Sequence, residues 1–262
     1  MSRYASLLWL QLRMSLVLGA QYRLNFLVDG AVALAWTAAG LVPLSVAFAG
    51  RQSIAGWSFE EMLVVMGWFT LLRGVLDGGV HPSLTAVVEQ IRLGTLDFVL
   101  LKPADAQFLV STAKFEPWKV ADVVAGMAIF AWAFARMGRA PAPLHVLGAL
   151  LLLVCAVVVL YSLWILVIAA AFYVVRLDNL SYLFDSLFDF ARWPVNVYRG
   201  VLRVVFTVVV PLAVMTTYPA QALLGTLRLQ TAALVVAGSL AFALAARLMW
   251  SRAIARYTSA SS

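Results

Sequence analysis

The chain has 262 residues, of which 64% are hydrophobic and 12% charged, with a net charge of +7. Soluble domains carry about twice that charged fraction, so a soluble globular fold is excluded. The basic residues are dispersed between apolar stretches, which excludes a nucleic-acid-binding surface, and the single cysteine, Cys155, excludes a disulfide framework within one chain.

In chain order, residues 1–25 mix Leu7, Leu8, Trp9, Leu12 and Leu16 with Arg3, Gln11, Arg13 and Arg23. This predicts an amphipathic helix lying along the inner membrane surface. Gln11 and Arg13 interrupt the apolar run, so it is not read as a cleavable signal. Six apolar stretches follow: Phe26–Phe48, Met62–Val80, Val120–Phe134, Leu144–Val174, Val201–Tyr218 and Thr231–Trp250. A bilayer core of about 30 Å needs roughly 20 such residues, and backbone in lipid must satisfy its own hydrogen bonds, so each is a predicted helix. The fold class is an all-α membrane protein of one transmembrane domain, residues 1–262, with spans 1–2 in 26–82, spans 3–4 in 119–175 and spans 5–6 in 201–250. Between them lie a polar segment, 83–118, an amphipathic connector, 176–200, and a tail, 251–262. With the N-terminus inside, fifteen of the nineteen Lys and Arg residues fall on the cytoplasmic side. That bias predicts a multi-pass inner-membrane protein with both termini cytoplasmic.

In the connector, Leu180, Leu183, Phe184, Leu187, Phe188 and Ala191 face away from Asp178, Asp185, Asp189 and Arg192 at helical spacing, and Pro194 ends the helix. Beyond span 5, "YPAQALLG" is too apolar for an exposed loop. It predicts a short re-entrant outer helix started by Pro219 and stopped by Gly225. Ala233, Ala237, Ala241 and Ala245 recur every fourth residue of span 6 and predict a close packing face.

The chain has no G-x-x-x-x-G-K-[ST], no H-E-x-x-H and no G-x-S-x-G. His81 and His145 lie near opposite predicted faces, so no metal site is expected. Asp29, Arg73, Asp77 and Asp122 sit near the inner ends of spans. Arg73 and Asp77, four apart on one helix face, are expected to pair and are a candidate gating pair. An ion-driven transporter carries midplane charge; none is read here, so energy is expected from another subunit.

The polar segment holds "EQIRLGTLDFVLLKP", Glu89–Pro103. Gly94 interrupts a helix carrying Val87, Val88 and Ile91, Thr95 can cap a new turn, Asp97 suits its positive end, and Pro103 stops it. The product is a short knuckle with an apolar body and a few charged points, shaped to plug into a groove on another protein.

The pattern R-x-G-T-L-D-x-x-L-L-x-P resembles the segment between spans two and three of ABC-2 type permeases, the membrane subunits of ATP-binding cassette exporters. Trp193–Gly225 resembles the Pro–Tyr–Pro–Tyr-Pro-Ala–Gly run of one subfamily. Arg256–Ser262 resembles its Tyr-x-Ser-Ala tail, with Thr258 where an acidic residue is usual. The resemblance implies a permease forming half of the pathway with a second permease, identical or related. It implies a coupling helix docking on an ABC ATPase dimer through Glu89, Arg92, Gly94, Thr95, Leu96, Asp97, Leu101 and Pro103. No cofactor is expected in this chain, because ATP and Mg would be held by the partner ATPase, and the chain is not expected to be an enzyme. An apolar, cationic or lipid-like substrate would pass Trp36, Met66, Trp68, Phe69, Phe206 and Met215, with membrane lipids around the bundle. A non-transporting assembly or regulatory protein and a channel are the alternatives.

Overall fold

The computed structural model describes residues 2–21, 23–171 and 186–255. Helix α1, Ser2–Gln21, leads into α2, Arg23–Ala47. Helix α3, Phe59–Val75, starts on a capping box: Ser58 Oγ accepts from the Glu61 amide, and the Glu61 carboxylate accepts from the Ser58 amide. It passes through a π-helical turn, Leu76–Val80, into α4, His81–Arg92. The predicted second span therefore does not stop at Val80; Phe59–Ile91 forms one 33-residue apolar helix. The knuckle helix α5 is Asp97–Leu100 and α6 is Ala106–Ser111. Helices α7, Val120–Met137, and α8, Pro143–Ala171, follow, with left-handed Gly138 ending α7.

The fifth predicted span is not one helix. Val201–Val209 and Ala213–Leu224 meet at 70°, because Pro211 has no N–H to donate and its ring crowds the preceding turn. The first limb opens with α9, Val201–Val204. The second ends in α10, Tyr218–Leu224, closed by left-handed Gly225. The expected outer helix is thus the continuous end of the second limb. Helix α11 is Leu229–Ala255. Among the described residues, five helices are long and apolar enough to cross a membrane, or six spans if the bent pair is one.

Glycine lets α3 and α7 approach closely. Cβ atoms added to Gly67 or Gly126 would collide across the α3–α7 seam, and one on Gly74 would lie 2.9 Å from the Asp122 Cβ. Small residues let spanning helices approach this closely. On α11 the face turned inward is Val235, Ser239, Ala246 and Trp250, and the expected alanine stripe points outward. The core has two parts. Met62–Val65, Trp68, Phe130, Leu152 and Leu223 fill the end away from the knuckle. Leu72, Leu84, Leu96, Trp164, Phe206, Met215 and Trp250 fill the knuckle end. Val32, Trp36 and Val46 on α2, and Leu234, Leu240 and Leu244 on α11, stay exposed. Such faces need an apolar surrounding.

Of the predicted connector helix, residues 172–185 lie outside the described residues, as does the tail from residue 256. Within its described part Phe188 and Ala191 are buried, whereas Asp189 and Arg192 are only partly so, and Trp193 is extended before Pro194.

Candidate functional site

The knuckle is built by a defined helix end. Gly94, at φ +70°, takes the left-handed conformation that ends α4. The Thr95 amide donates to the Gln90 carbonyl at 2.9 Å and the Gly94 amide to the Ile91 carbonyl at 3.2 Å, the paired closure that satisfies a helix C-terminus. Thr95 is spent on this closure and caps nothing: the following turn has no side-chain cap. Asp97 does sit in the first turn of α5.

Side-chain placement corrects one assignment. Leu96 is 0% exposed and packed in the core, so it anchors the turn and offers nothing to a partner. The exposed apolar residues are Phe98, 69% exposed, and Leu101, 81% exposed. Glu89, Thr95 and Pro103 are exposed beside them, and Gly94 and Asp97 are half-buried. The Arg92 side chain lies outside the described residues.

The second site is a cleft of about 690 Å³ between α2, α3, the start of α7 and the described end of the connector. One wall is apolar, with Val32, Trp36, Pro43, Met66 and Phe69; the other carries Asp29, Arg73, Glu116, Lys119, Asp122, Asp189 and Arg192. Of the six predicted path residues, Trp36, Met66 and Phe69 line this cleft. The other three do not: Trp68 packs on Phe130, Phe206 packs between Phe190 and Tyr198, and Met215 is buried in the core.

The predicted pair exists but is not the tightest link. Arg73 Nε lies 3.6 Å from Asp77, whereas its Nη1 donates to Asp189 Oδ1 at 2.8 Å. Asp77 in turn accepts from Lys119 Nζ at 3.2 Å, and Lys119 lies 3.9 Å from Asp122. Arg192 shares Asp189 Oδ1 at 3.0 Å. Both guanidiniums cover the Phe69 ring, at 5.9 Å and 5.1 Å, within cation–π range. The π-helical turn helps shape this corner: the Gly78 carbonyl it releases accepts from the Glu116 amide at 2.8 Å.

Sequence reasoning missed Lys119, Glu116, Asp189 and Arg192 as members of one cluster, because three chain segments supply them. It also missed Arg247, inside the sixth predicted span, although a lone arginine among apolar residues signals a buried partner.

These features define a polytopic helical membrane protein with an exposed apolar turn and a charged cleft. A family profile described as ABC-2 family transporter protein matches residues 34–261. The chain belongs to that family: it is a membrane component of an ABC transporter, a class that works with an ATP-binding subunit. No curated protein and no solved structure matches it.

Proposed function

We propose that this chain is the permease subunit of an ATP-driven exporter. It forms half of a translocation pathway with a second permease, identical or related. It docks through the knuckle on a separate ATPase dimer that holds the ATP and Mg. In this reading it resides in the inner membrane with both termini cytoplasmic. The observation that supports it most is the exposed pair Phe98 and Leu101 on a turn seated by buried Leu96. Apolar side chains held out on a rigid support suit insertion into a groove.

ATP closes the ATPase dimer and carries the knuckles with it. Nucleotide drives the permease only through a difference in affinity between its two conformations. The cleft supports a hydrophobic, cationic or lipid-like substrate. An apolar tail meets Trp36, Met66 and Phe69, while a polar head meets the ion network around Arg73 and Asp77, the candidate gate.

The test is co-purification in mild detergent with a soluble subunit bearing G-x-x-x-x-G-K-[ST], comparing wild type with Leu101→Arg. A complex present in wild type and lost in the variant supports the reading. A stable wild-type protein that holds no ATPase sinks it and promotes a channel or assembly protein.

A further inference from the structure

Helix α6 immediately follows the knuckle and joins three other parts of the chain. Its N-cap is Asp105, whose Oδ1 accepts from the Phe108 amide at 3.0 Å. The same carboxylate receives a fork from Arg247 on α11, Nη2 to Oδ2 at 2.6 Å and Nη1 to Oδ1 at 3.3 Å. Arg247 Nη1 also donates to Gln107 Oε1 at 2.6 Å. Buried Gln107 passes the connection to α8 by donating from Nε2 to the Tyr161 hydroxyl at 2.9 Å, and Ser111 Oγ lies 2.8 Å from that hydroxyl. On the third side the Tyr4 ring of α1 meets Phe108 edge-on at 4.9 Å, and its hydroxyl accepts from the Asp105 amide at 3.3 Å. The cap fixes the carboxylate before the arginine arrives, and a two-pronged guanidinium–carboxylate bond fixes orientation as well as distance.

We propose that Asp105 and Arg247 form a strut that makes the knuckle segment and α11 move as one body: a displacement of the knuckle passes through the short loop 101–104 to Asp105 and is delivered there to the sixth span. Both are positioning residues, and Gln107 with Tyr161 extends the strut to α8. The loop that joins the knuckle to Asp105 is short and internally bonded, the Lys102 amide donating to the Val99 carbonyl at 3.2 Å and the Ala104 amide to the Lys102 carbonyl at 2.8 Å. This inference rests on the permease reading above.

The experiment uses the full chain with its ATPase in lipid nanodiscs, on a Cys155→Ala background, with spin labels at Leu93→Cys, beside the knuckle but outside its docking residues, and Leu244→Cys, both exposed. Distances are measured without nucleotide and with ATP plus vanadate. With the native strut the separation is expected to stay the same in both states. Asp105→Asn keeps the cap but replaces the oxygen at 2.6 Å with an amide that repels the guanidinium. In that variant, and in Arg247→Gln, the separation is expected to shift between states while ATP hydrolysis and ATPase binding persist. Arg247→Lys, which keeps one prong, is expected to recover part of the constancy. A separation that moves with nucleotide when the strut is intact, or stays fixed in both variants, overturns the proposal and leaves the permease reading standing. A protein that never binds an ATPase overturns both.

Discussion

Gly126 lies so close to Gly67 that a methyl group placed on it would sit 2.8 Å from the Gly67 carbonyl oxygen. The neighbour is backbone, which cannot swing aside, so Gly126→Val must push α3 and α7 apart. Overpacking of this kind costs about 1–3 kcal/mol. Melting in detergent should show the loss, whereas Gly148→Ala, with nothing within 4 Å, should melt no lower than wild type.

Leu96 and Leu101 should separate support from docking. Leu96→Ala removes a fully buried side chain and is expected to cost about 2–5 kcal/mol. Leu101→Arg changes an exposed one, so stability should stay within about 0.5 kcal/mol while ATPase co-purification is lost. Equal destabilisation by the two would place both in the core.

For Arg73, the shorter link predicts the stronger coupling. A double-mutant cycle of Arg73→Gln with Asp189→Asn should return about 1 kcal/mol, and the cycle with Asp77→Asn less, following the 2.8 Å and 3.6 Å separations. Both pairs are part-exposed, so higher salt should shrink both values. A larger coupling to Asp77 would restore the pair read from the sequence as the principal one.

Asp105 gives a pH dependence of definite sign. The hydrogen bond from Arg247 holds its carboxyl below the ordinary value of 3.8, with backbone donors at the cap adding to the effect and burial opposing it. A lowered carboxylate contributes stability above its unfolded value and loses it as pH falls through the folded one. The difference in melting temperature between wild type and Asp105→Asn should therefore be flat above about pH 5 and vanish at lower pH. A difference that grows on acidification would contradict the assignment.

The apolar spans were legible because lipid imposes a simple rule, length and apolarity, that each stretch obeys by itself. The helix break at Gly94 was legible for a similar reason: one residue type meets one backbone need. Which side of the four-residue turn faces out was not, because Leu96 and Phe98 are equally apolar and the turn is too short to display a period. Ion partners were legible only where they share a helix. Asp77 was paired with Arg73 at four-residue spacing, but the closer partners Lys119 and Asp189 are 42 and 116 residues away in sequence from the groups they meet. The bend at Pro211 carried a local signal that the surrounding valines masked.

The π-helical turn at Leu76–Val80 acts as a vernier. An α-helix advances about 100° per residue, and a π turn accommodates one residue more than the regular ladder holds. If Leu76–Val80 wound as regular α-helix with no residue removed, His81–Arg92 would turn by about that angle relative to Phe59–Val75. The span would remain, but Phe98 and Leu101 would point along a different compass bearing around the bundle. The direction in which this protein presents itself to a partner is thus written in the winding of its second span, some twenty residues before the surface that partner would touch.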